Sequence, residues 1–155
     1  MIAWLVTYLL VRVLVTASCG YALARGGEPE RFVAGVLLAG FVADEINHAL
    51  LGEPVFDVIN PGHVVIDSWL LVVLVWAAIQ ANRGWTLAIG SLQLIVVIGH
   101  VAKFADMGAV RRAYFTMTFI PFYVQLLVLI AGTHAHRRRL ARWGDYPGWR
   151  GLSAV

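Results

Sequence analysis

The sequence holds a single cysteine, Cys19. One thiol allows no internal disulfide and no cysteine-based metal cluster. Charge is also scarce: 14% of the 155 residues are Asp, Glu, Lys or Arg, against roughly 25% in a soluble domain. There is no glycine-rich phosphate loop, no G-x-S-x-G nucleophile motif and no internal repeat. No nucleic-acid signature is present, and membrane topology accounts for the basic run near the C-terminus.

What is abundant is apolar surface. Hydrophobic residues make up 60% of the chain, and the mean hydropathy is +0.76. Such a chain belongs in a bilayer, and its length accommodates about five spans of ~20 residues. Almost nothing is left for a soluble domain. The predicted fold is all-α, a polytopic integral membrane helical bundle. Spans are expected over 2–23, 32–51, 61–81, 85–105 and 110–133, so the bundle covers 1–136 and a short basic, aromatic tail covers 137–155. The first span lacks a basic lead-in. It is expected to stay uncleaved, although Thr16-Ala-Ser-Cys19 faintly resembles a lipoprotein cleavage box. Asn60-Pro61 has the form of a helix N-cap followed by proline at the first helical position.

Orientation follows from arginine. With five spans and the C-terminus in the cytoplasm, Arg25, Arg31, Arg83, Arg137, Arg138, Arg139, Arg142 and Arg150 lie inside, and only Lys103, Arg111 and Arg112 lie outside. The positive-inside rule favours that arrangement. The N-terminus is then outside, and a bacterial inner membrane with a periplasmic outer face is the expected location.

The stretch Gly40 to Leu51, G-F-V-A-D-E-I-N-H-A-L-L, puts Asp44, Glu45, Asn47 and His48 into an otherwise apolar span. Ionisable groups are costly there and mark function by default. At ~1.5 Å per residue from the outer helix ends, Glu45, His48, Asp67 and His100 reach one level, with Arg12 just beneath. Gln93, His100 and Lys103 fall on a single face of span four. The expected result is a polar pocket opening outward, with Glu45, His48, Asp67 and His100 as its candidate catalytic or metal-ligating residues. Glu45-Ile-Asn-His48 is an E-x-x-H, but a di-iron bundle needs a second such motif and two more glutamates. A mononuclear metal held by His48, His100 and Glu45 or Asp67 is easier to build. A haem between His48 and His100 is the other cofactor reading. The reading ranks no cofactor ahead of either, with the cluster acting as a hydrogen-bonded network.

Arg12 is expected to pair with Asp44 or Glu45, and Asp44 is the partner carried forward as a structural ion pair. His63 and Asp67 read as a polar first turn or an oriented imidazole. Arg111 and Arg112 are candidates for binding an anion. The leading functional reading is a small binding protein or an accessory subunit, with bilayer lipid and other membrane subunits as partners. Two alternatives remain: an intramembrane metal-dependent or acid–base enzyme acting on a lipid or apolar substrate, and a transporter of protons, ions or small solutes.

Overall fold

The computed structural model describes residues 2–52, 59–105 and 111–150, with side chains from residue 9 onward. Five helices follow in order: α1 (Ile2–Arg25), α2 (Glu28–Leu51), α3 (Pro61–Gln80), α4 (Trp85–Ala105) and α5 (Arg111–Trp143). Among the described residues, α2, α3, α4 and α5 are each long and apolar enough to cross a membrane. Consecutive helices are neighbours, α1 also meets α5, and α2 reaches α5 across the middle, which closes the bundle into a ring.

The core lies inside that ring. Val15 and Cys19 from α1, Val33 and Leu37 from α2, Leu70 and Leu74 from α3, Ile89 from α4, and Leu126 and Leu129 from α5 form one apolar cluster. Cys19 is a small filler in it. Every helix also exposes large apolar side chains, among them Leu10, Val42, Val72, Phe104 and Leu127. A water-soluble protein rarely carries so much exposed apolar surface, whereas lipid solvates it without cost.

Three helices outrun the predicted spans, α1 by only two residues at its end, because hydropathy locates the apolar stretch and not the helix end. α2 begins at Glu28, with Pro29 in its first turn and the Glu30 carboxylate accepting the Gly27 N–H at 3.1 Å. α5 continues through Arg137, Arg138 and Arg139 to Trp143, where cations suit the negative end of the helix dipole. It stops at Gly144, whose N–H returns to the Leu140 carbonyl at 3.0 Å.

The segment 144–150 then folds back onto the α3–α4 turn. Arg150 N–H donates to Gln80 and Asn82 N–H to the Gly148 carbonyl, at 2.8 and 3.0 Å. Trp149 packs its ring near Trp76 and Phe32. Beneath it Arg83 is buried, with its Nε 3.2 Å from Glu30 Oε1 and its guanidinium over the Tyr146 ring. The arginine expected in a cytoplasmic turn is therefore part of a buried ion pair.

A candidate metal site and a separate buried network

The end of α2 is shaped by its cap. Gly52 has φ 85° and ψ 175°, a region open essentially to glycine alone. That conformation turns the chain so that the Gly52 carbonyl faces back to His48, 3.2 Å from Nδ1. A neutral imidazole that donates from Nδ1 presents a bare lone pair at Nε2. Across the connection, the Asn60 side chain accepts the Gly62 N–H at 2.8 Å and Pro61 sets the first turn of α3, as the Asn60-Pro61 pair implied. Gly62 brings the two helices together: a Cβ there would overlap the Asn47 side chain. His63, next in sequence, is thereby held against His48.

The result is a compact group. His63 Nε2 lies 2.9 Å from Asp44 Oδ1, His48 Nε2 lies 3.4 Å from Asp44 Oδ2, and the two Nε2 atoms are 3.3 Å apart. All three ligand atoms fall within 4.8 Å of one another. The two histidine side chains are 19% exposed and Asp44 is 39% exposed, so the group is open to entry from one side. Two ligands held ~2.0–2.1 Å from a tetrahedral metal stand about 3.3–3.4 Å apart. The imidazole nitrogens already have that separation.

The four residues proposed from sequence do not converge. His48 joins Asp44 and His63. Glu45 instead forms the ion pair with Arg12, linking α2 to α1, so the expected Arg12–Asp44 pair is replaced by Arg12–Glu45. The exchange reflects helix rotation: successive residues on α2 point to different neighbours, and Asp44 is the one facing α3. Asp67 and His100 build a different unit. His100 Nε2 lies 2.8 Å from Asp67 Oδ2 and Nδ1 lies 2.9 Å from the Tyr114 hydroxyl. His100 thus belongs to a unit built with Asp67 and Tyr114, and does not join His48.

That second unit continues inward. Gln93 Nε2 donates to Asp67 Oδ1 at 3.0 Å, and Gln125 Nε2 donates to Gln93 Oε1 at 2.9 Å. Gln93, His100, Lys103 and Gln125 are all buried, and the predicted polar face of α4 is the face turned to α3 and α5. The chain of bonds satisfies its members and ties three helices together, which is the structural role buried polar networks serve. Arg111 and Arg112 lie exposed at the start of α5. Asp57 and Asp106, acidic residues of the two connections at this end of the chain's helices, lie outside the described residues.

Asp44 and His63 were not among the proposed ligands. The usable signal was positional: His48 is in the last turn of α2 and His63 in the first turn of α3, so consecutive antiparallel helices place them at one level. No protein-family model, no curated protein and no solved structure matches this chain.

Proposed function

We propose that this is a membrane-embedded metal-binding protein whose Asp44, His48 and His63 hold one divalent transition-metal ion. The observation that carries the reading is the meeting of two imidazole Nε2 atoms and a carboxylate within 4.8 Å of one another. Two imidazoles and one carboxylate suit zinc best among common divalent ions. The Gly52 carbonyl fixes the tautomer of His48, as outer partners of metal-bound histidines usually do. Without a cation, the lone pair of His48 Nε2 would face the His63 ring and a carboxylate oxygen. A proton on one imidazole is the alternative that relieves the same clash.

Three protein ligands leave a fourth position for water or substrate, the arrangement of catalytic rather than structural zinc. The exposure of Asp44 favours this second, catalytic reading. A metal-bound water near neutral pH is a nucleophile, and at this end of the bundle it would meet a lipid or another apolar substrate at the bilayer surface. In the orientation set by arginine, that surface is the periplasmic face of a bacterial inner membrane.

The test is zinc titration calorimetry on the chelator-treated, full-length protein in detergent. Wild type should bind one zinc per chain. His63→Ala should weaken binding by at least about 100-fold, more than loss of an outer partner costs. His100→Gln should leave the stoichiometry at one. Absence of zinc binding in wild type, or equal loss in both variants, would sink the reading and leave an imidazolium–carboxylate pair in its place.

A further inference from the structure

The opposite end of the bundle carries a feature that neither the metal site nor the buried network uses. Where α1 ends, α2 begins and α5 emerges, an open cavity of about 420 Å³ is lined by Arg25, Arg31 and Arg137 together with His136, Ala24 and Leu140. The volume lies within the range of small-ligand sites. No carboxylate lines it. Glu30, the buried acid nearest in sequence, is already paired with Arg83. Among the described residues, Arg25, Arg31 and Arg137 have no ion-pair partner. Three guanidinium groups from three helices thus surround one space, with no counter-charge among the described residues that line it. His136, on its wall, is held in place by the Tyr146 hydroxyl at 2.7 Å from Nδ1.

The geometry points to a phosphate-oxyanion site that takes the headgroup of an anionic phospholipid. Guanidinium forks match phosphate oxygens in shape and charge. On its membrane side the cavity is bordered by the apolar end of α1, where Ala24 lines it and Leu23 is exposed, an apolar wall along which an acyl chain can lie while the phosphate meets the arginines. It also sits where α5 passes from its apolar run into Arg137, Arg138 and Arg139. That is the level at which basic pockets between spans meet lipid headgroups. A free phosphate has the same oxygens but makes no use of the apolar wall.

Native mass spectrometry of the full-length protein, offered phosphatidylglycerol and phosphatidylcholine in equal amounts, tests this. Wild type should retain phosphatidylglycerol selectively. Each pocket arginine lost should reduce that preference about fivefold, so Arg31→Gln costs about fivefold and the triple variant R25Q/R31Q/R137Q roughly 100-fold. The charge-matched triple R138Q/R142Q/R150Q lies outside the cavity and should keep most of the preference. Circular dichroism of each variant checks the fold, and these exposed arginines are not expected to disturb it. An equal fall in both triples, or a fall in neither, overturns the site. Saturable inorganic phosphate binding that the pocket triple loses, without any lipid preference, overturns the lipid as occupant.

Discussion

Asp44 and Glu45 are adjacent in sequence and have different partners. Asp44 bridges His48 and His63, and Glu45 neutralises Arg12. The two carboxylates therefore separate by experiment. Asp44→Asn should lower zinc affinity by at least about 100-fold, while Glu45→Gln should leave one zinc bound and affect mainly α1–α2 association. Competition with a chromophoric chelator reads both. The stretch is legible in the sequence as the centre of the polar site, but the choice between Asp44 and Glu45 as the ligand is not. Helical spacing shows that Asp44 and His48 share a face, but not which neighbouring helix that face meets. Gln93 and His100 were easier, since a polar stripe on an apolar helix has to turn inward.

The helices are set by their ends, and the metal group inherits its geometry from two of them. Gly52 at the end of α2 has a backbone that alanine resists by about 1–3 kcal/mol, and its carbonyl orients His48. Gly52→Ala should therefore lower the thermal unfolding midpoint and weaken zinc binding about 10–100-fold, the usual cost of disturbing an outer partner. Calorimetry and thermal melts on the same sample show whether both effects occur. The Asn60-Pro61 start of α3 was legible because capping chemistry is local. The start of α2 and the end of α5 were not, since helix continues past the apolar stretch wherever charged residues tolerate it. The return of 144–150 onto the α3–α4 turn has no local signature and depends on Trp149 finding Trp76 and Phe32.

The molecule is a closed ring of five helices with unlike ends. One end gathers Asp44, His48 and His63, and the other gathers arginines and the buried Glu30–Arg83 pair. The all-α membrane bundle was readable from composition and apolar run length alone, because the bilayer restricts spanning chains so narrowly. The division of polar residues into separate groups was not, because it depends on the mutual rotation of all five helices. The two ends should behave independently, as distant sites do. Glu30→Ala leaves Arg83 buried without its partner, which costs about 3–5 kcal/mol for such a pair. It should lower the melting temperature while the folded fraction keeps its zinc affinity.

The central claim, that Asp44, His48 and His63 together hold a metal, is tested most directly by zinc X-ray absorption on the loaded full-length protein. The account predicts a four-coordinate nitrogen and oxygen shell at ~2.0–2.1 Å, with the outer-shell scattering of two imidazoles that falls to one in His63→Ala. A shell without imidazole scattering, or one unchanged in His63→Ala, would contradict it.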